Sequence, residues 1–195
     1  MQPAGIESHG REINMDRTWS CFDCRLDDPV PLCFTADGTF DPQRLACAYL
    51  KIRPADEGAG AEDGDSMQAF DCVDEMMHNA PGPSVAFILA ALDACQTGAQ
   101  VAILGAGPLE TLLRTHGPAV IGDLEREARN HAKVRYLLSA TWGRDHIDPG
   151  VWERLVIAVS PGPVMDGDAR TPAAALHDKI LNEAGVGALL AAPMA

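Results

Sequence analysis

The residues able to do chemistry fall in two stretches. The first is residues 100–117, QVAILGAGPLETLLRTHG. An apolar Val101-Ala102-Ile103-Leu104 run ahead of Gly105-Ala106-Gly107 is how a dinucleotide-binding strand and turn begin. There, glycines let the backbone approach a pyrophosphate seated on a helix N-terminus, and a similar turn holds the methyl donor of methyltransferases. The same stretch carries Glu110 and His116, a candidate acid and base. The second stretch holds thiols. Cys21 and Cys24 have the spacing of half a zinc site, and Cys33 and Cys47 would complete a four-thiolate set.

Each reading meets an obstacle. The dinucleotide fingerprint wants a third small residue where Glu110 stands, then a second strand and an acidic residue on the ribose. Residues 120–128, VIGDLEREA, have helical periodicity instead. Two helices meeting at a Gly-Pro corner fit the stretch better. Residues 100–104 finish one helix, Gly105-Ala106-Gly107 breaks it, and Pro108 takes the first position of the next. Glu110 then sits in a first turn, near the positive end of the dipole. Leu109, Leu112, Leu113 and His116 share a face that Gly117 ends. On one helix Glu110 and His116 point to different faces, which weakens an acid–base pairing. Asp145 and His146, and His177 and Asp178, are sequence neighbours that point apart and read as surface, and no Ser or Cys nucleophile motif is present. The cysteines lack a second close pair, and Cys47 falls on a helix face, so thiols without metal are expected and zinc is the alternative.

The elements positioning these residues read as short helices. Asp41-Pro42 starts one with Leu45, Ala48, Tyr49 and Ile52 at helical spacing, closed by Pro54. Ser66 caps the next, with a Phe70, Val73, Met76, Met77 stripe that reads as core and His78 at its end. Ser84 starts a helix carrying Val85, Ile88, Leu89, Leu92 and Cys95, stopped by Gly98. Pro118 opens another with Val120, Ile121, Leu124 and Ala128 inward, turning at Asn130-His131. Val134, Leu137, Leu138 and Trp142 line a further one, closed by Gly143. Asp148-Pro149 caps a last body helix with Val151, Trp152, Leu155 and Val156. The fold class is all-α, a small bundle of antiparallel helical hairpins, HEAT-like or solenoid-like. A short irregular or hairpin arm precedes it, centred on Trp19, Phe22 and Phe34.

The expected organisation is a disordered leader at 1–17, with Met1 or Met15 as the start, and a Cys-containing arm at 18–40. A helical domain spans 41–158, with an acidic glycine-rich loop at 53–65. A Pro-Gly linker and a tail fill 159–195, with a helix capped at Thr171-Pro172, carrying Leu176, Ile180 and Leu181 and weakened beyond by Gly185 and Gly187.

Over 195 residues the formal charge is -13. That disfavours nucleic acid and anionic membranes, which need clustered Lys and Arg, and it permits a basic protein partner. No apolar run reaches membrane-span length, the N-terminal stretch lacks the apolar middle of a signal peptide, and a cytoplasmic location with the six cysteines as thiols is expected.

The AGPLETLLRTHG run, the helix at 121–128 and the WGR segment leading to Trp152 together carry a resemblance. Over roughly residues 42–156 the chain resembles a bacterial domain family of unknown function whose hallmark is Gly-Pro-Leu-Glu. The matching positions are Gly107, Pro108, Leu109, Glu110, His116, Gly117, Trp142, Gly143, Arg144 and Trp152. The resemblance implies the helical fold and one recurrent structural unit holding Glu110, His116, Arg144 and Trp152; it implies no activity. The function expected on these grounds is a non-catalytic helical protein-interaction module, for example an acidic inhibitor or immunity-type protein facing a basic toxin. The alternatives are a small enzyme or nucleotide-binding protein using the GAGP stretch, and a zinc-stabilised adaptor.

Overall fold

Helix ends are set by local chemistry that the sequence states plainly in several places. The computed structural model describes residues 33–35, 37–51, 64–165 and 179–194. Helix α1 (Pro42–Tyr49) starts on Asp41, whose carboxylate accepts the Arg44 N–H at 3.0 Å, with Pro42 in the first turn. Helix α2 (Gly64–Asn79) and α3 (Pro81–Ala94) meet at Ala80. The buried Ser84 hydroxyl lies 2.8 Å from the carbonyls of both Met76 and Ala80 and ties that corner together. Helix α4 (Gly98–Leu104) begins with a capping box: Thr97 accepts the Gln100 N–H, and the Gln100 side chain accepts the Thr97 N–H. A π turn (Gly105–Leu109) leads without interruption into α5 (Glu110–Asn130). Helices α6 (Ala132–Ser139) and α7 (Pro149–Val159) complete the body. The two-residue strands β1 (Pro163–Val164) and β2 (Lys179–Ile180) pair in parallel, and α8 (Glu183–Ala191) closes the described chain.

The fold class is all-α, as the periodicity predicts: the described residues are mostly helical, with one short strand pair. Helix α5 is the hub: it packs on α2 and α3 on one side and on α6 and α7 on the other. Helix α1 lies chiefly against α3, where Tyr49 meets Phe87 edge to face at 5.6 Å. Leu45, Met76, Met77, Phe87, Ile88, Leu92, Leu112, Leu113, Ile121 and Leu124 are fully enclosed. Each contributes roughly 1.5–3 kcal/mol by leaving water. Gly117 permits the close approach of α5 and α7, since a Cβ there would meet the Val151 side chain at 3.0 Å. The tail docks on this body. β1 packs on α6, with the Met165 N–H donating to the Ser139 hydroxyl at 2.8 Å, and α8 lies against α4 and α6 with Leu190 buried.

Several expectations need correcting. The glycines at 105 and 107 do not break the chain, and Pro108 does not restart it. A proline inside a helix lacks an N–H and crowds the carbonyl four residues back; a π turn widens the coil by one residue and accommodates both. The junction expected at Gly117-Pro118, by contrast, is present one residue earlier: His116, with a φ of -128° and a ψ of 15°, leaves the helical region, so two helical segments meet there at a kink within α5. Gly98 starts α4 rather than stopping α3, because Thr97 and Gln100 form a start signal. Helix α3 begins at Pro81, ahead of the expected Ser84. The buried stripe of α2 is Ala69, Cys72, Val73, Met76 and Met77, which leaves Phe70 beside it and half exposed. Trp142 does not line α6, which ends at Ser139; it lies in the adjoining loop, 40% exposed. Ile180 belongs to β2 rather than to the expected tail helix, and a separate helix starts at Glu183 on an Asn182 cap and runs through Gly185 and Gly187. The expected start of that helix at Thr171, the 1–32 segment and residues 52–63 of the acidic loop lie outside the described residues.

Candidate functional site

The π turn aims two sets of side chains in opposite directions. Gly105, Pro108 and Leu109 are buried, whereas Ala106 and Glu110 turn outward. Gly105 presses on the end of α6: a Cβ there would lie 2.7 Å from the Ala140 Cβ and 3.0 Å from its carbonyl carbon. This contact brings the α6–α7 connection, residues 141–148, alongside the turn. Gly143 takes a φ of +103°, and a Cβ there would lie 2.6 Å from Glu110 Oε1 and 2.8 Å from its Cδ. Glycine is therefore required twice, by the left-handed backbone and by the carboxylate laid over it. The loop then folds back, with the His146 and Ile147 N–H groups donating to the Gly143 carbonyl at 2.8 and 3.1 Å.

Between these walls lies an open cleft of about 290 Å³. Ala106 and Glu110 form one side, and Trp142, Gly143, Arg144, Asp145 and His146 the other. Burial pushes the Glu110 carboxyl above its ordinary value, an effect partly offset by the nearby basic groups of Arg114 and His146. Among the described residues no hydrogen bond or ion pair closes on the Glu110 carboxylate, not even from Arg114 one turn along α5. Nor can Glu110 serve the open end of a helix dipole. Its own N–H donates to Gly105 and Gly107 carbonyls, and the preceding coil continues.

The structure separates the expected acid and base. His116 Nε2 lies 2.8 Å from the His78 carbonyl, so a proton on that nitrogen is donated to the end of α2. It is a clasp between α5 and α2, and the imidazole that does face Glu110 is His146. Of the remaining motif residues, Trp142 and Arg144 join Glu110 in the cleft, whereas Trp152 is buried in α7. Gly107 is free of tight contact, its nearest neighbour for an added Cβ being the Tyr49 hydroxyl at 3.9 Å. Asp145 and His146, read from the sequence as a surface pair, are exposed as expected but line the cleft, a place that no periodic face assigns them. The cue available was Gly143 within a run without helical spacing.

Cys33 is buried and Cys47 exposed, while Cys21 and Cys24 lie outside the described residues. Among the described residues no group of three or more potential metal ligands occurs. No helix among them is long and apolar enough to cross a membrane. Among the described residues no Ser, Thr, Cys, Lys or Tyr lines the cleft; those that do offer two carboxylates, an imidazole, a guanidinium and an indole.

A family model described as a family of unknown function, DUF6869, matches residues 58–161. The chain belongs to this family. The matched span starts later than the resemblance implies, after α1, and runs through α7, so it contains both walls of the cleft. No curated protein and no solved structure matches the chain.

Proposed function

We propose that the chain is a non-catalytic helical protein-interaction module that takes its partner at the cleft. The observation that carries this is convergence. Two stretches some thirty residues apart, 106–110 and 142–146, are built against one another by Gly105 and Gly143 to leave an open polar cleft with a half-exposed indole. Such a surface suits recognition, because exposed Trp and Arg are the residue types that anchor protein contacts. The charge of -13 favours a basic partner, as for an acidic inhibitor or immunity-type protein, and steers its approach. Cys47 and Cys95 are free thiols, which suits a reducing cytoplasm. A photo-crosslinker placed at Asp145 tests the site against one at Ile157, an exposed apolar position on α7. A single polypeptide trapped from position 145 and not from 157 is expected. Trapping only from 157 overturns the assignment.

A second reading is favoured by the raised Glu110 carboxyl facing His146: a small enzyme with these two, rather than Glu110 and His116, as acid and base. Glu110→Gln would then abolish turnover while leaving the crosslink intact. Zinc on Cys21, Cys24, Cys33 and Cys47 remains an adaptor alternative. Metal analysis of protein purified without chelator decides it, and less than half an equivalent removes it.

A further inference from the structure

Resting on the interaction reading, we propose that the group the cleft receives is a cation, the guanidinium of a partner arginine, paired with the Glu110 carboxylate beside the Trp142 indole. Among the described residues the Glu110 side chain has no hydrogen-bond or ion-pair partner. Its carboxylate is laid over the Cα of Gly143 by a loop whose left-handed turn leaves no room for any side chain. It is held partly out of water there without a hydrogen bond or ion pair among the described residues. A carboxylate in that position loses hydration and gains nothing in exchange until a donor arrives. The neighbouring basic side chains do not fill the role. Arg114 and His146 act on Glu110 through space only, and Arg144, exposed on the opposite wall, makes no ion pair with a described residue.

The cleft also defines the size and shape of the missing donor. A planar fork with several N–H groups matches a carboxylate in two bonds, and the same plane can lie on an aromatic face. Trp142 lines the same cleft with 40% of its surface exposed, which puts an aromatic side chain next to Glu110. Asp145 adds a second carboxylate on the same wall, so the lining holds Glu110 and Asp145 against Arg144 as fixed charges. The strong negative charge of the whole chain acts in the same direction at longer range. An anionic group would be drawn to Arg144 and His146 instead, but it would have to sit beside the unpaired Glu110.

The test uses the full chain labelled with ¹⁵N and two small probes, N-acetylarginine N-methylamide and N-acetylglutamate N-methylamide. The arginine probe is expected to give saturable shifts at the Trp142 indole N–H and the Gly143 amide, with a dissociation constant on the order of millimolar for so small a fragment. The glutamate probe is expected to leave both in place. Glu110→Gln should weaken the arginine probe about tenfold, whereas Glu125→Gln, at a glutamate already paired within the fold, should titrate as the unsubstituted protein does. A measurement without any variant reads the same contact. Lowering the pH through the raised Glu110 titration, with Arg114, Arg144, Asp145 and His146 as the other ionisable neighbours, should abolish the shifts. Absence of saturable shifts at neutral pH, equal affinity in Glu110→Gln, or preference for the glutamate probe overturns the inference. If the crosslink from position 145 stands while the arginine probe fails, only the cation assignment falls. If the probe binds but position 145 traps nothing, the interaction module falls instead.

Discussion

Helix α5 carries two glutamates that face arginine-bearing segments, and their fates are opposite. Glu125 meets the Arg154 fork from α7 with Oε1 2.8 Å from Nε and Oε2 2.7 Å from Nη2. That bidentate pair holds its carboxyl below the ordinary value. Glu110, fifteen positions earlier, lies near Arg114 and His146, yet no pair closes among the described residues and burial pushes its carboxyl up. One acid has been given its partner by the fold, and the other has been given a place. Sequence alone presents both as helical glutamates with arginines nearby. The difference lies in the neighbouring segment: α7 is a regular helix that delivers a long side chain to Glu125, whereas the loop at 142–146 delivers a glycine to Glu110.

The comparison breaks most easily at that glycine. Gly143→Ala combines a disfavoured backbone with a Cβ driven into the Glu110 carboxylate, and a loss of about 3 kcal/mol in urea unfolding is expected. Adding Glu110→Ala should return the steric part and leave the backbone part. Complete recovery would show that the left-handed turn costs nothing. Gly105→Ala comes next, at about 2 kcal/mol, since its Cβ meets Ala140 backbone that cannot swing away. Its expected second effect is a change in Trp142 fluorescence as the loop moves off the turn, a change that Gly107→Ala should not produce. His116→Ala, which removes the bond to the His78 carbonyl, is expected to cost about 1 kcal/mol and to leave arginine-probe binding untouched.

The smallest effects are the ones of opposite sign. Glu110 has a folded value above its unfolded one, so its ionisation costs stability at pH above the folded value, and the cost vanishes below the unfolded value. Glu125 has a folded value below its unfolded one. Its contribution is present above the unfolded value and is lost as pH falls through the folded one. Glu110→Gln should therefore slightly stabilise the protein at neutral pH, and Glu125→Gln slightly destabilise it, with both differences fading in acid. Carboxyl carbon titrations by NMR should place Glu110 above and Glu125 below the ordinary range. Equal midpoints would erase the contrast.

Much of the helical plan was legible because it rests on short-range chemistry. Asp41-Pro42 and Asp148-Pro149 each mark a start by a side chain accepting N–H groups of the first turn. The corner at Asn130-His131 and the buried faces of α3 and α5 come from spacing. Thr97 and Gln100 were equally readable as a capping box, but Gly98 between them looked like a stop. The π turn was not legible. Gly105-Ala106-Gly107-Pro108 has the composition of a break, and what keeps it wound is the tertiary contact of Gly105 with Ala140, which no local rule contains. The cleft inherits that difficulty: Glu110, Trp142 and Arg144 were visible as motif residues, but Asp145 and His146 read only as a surface pair until the turn and the loop were placed side by side.

A π turn is also a residue counter. Relative to a plain α-helix it contains one extra position, and each position rotates the coil by about 100°. Deleting Pro108 itself would remove both the extra position and the ring and let α4 and α5 run on as ordinary helix, but with everything from Glu110 onward turned by that angle against α4. Glu110 would leave the cleft, Gly117 would leave Val151, and Glu125 would leave Arg154 at one stroke. Most single substitutions on this segment can be absorbed locally, whereas a one-codon change in length there would alter the phase of the whole hub helix. Insertions and deletions in related genes should accordingly avoid these five positions and collect in the loops that α5 does not index.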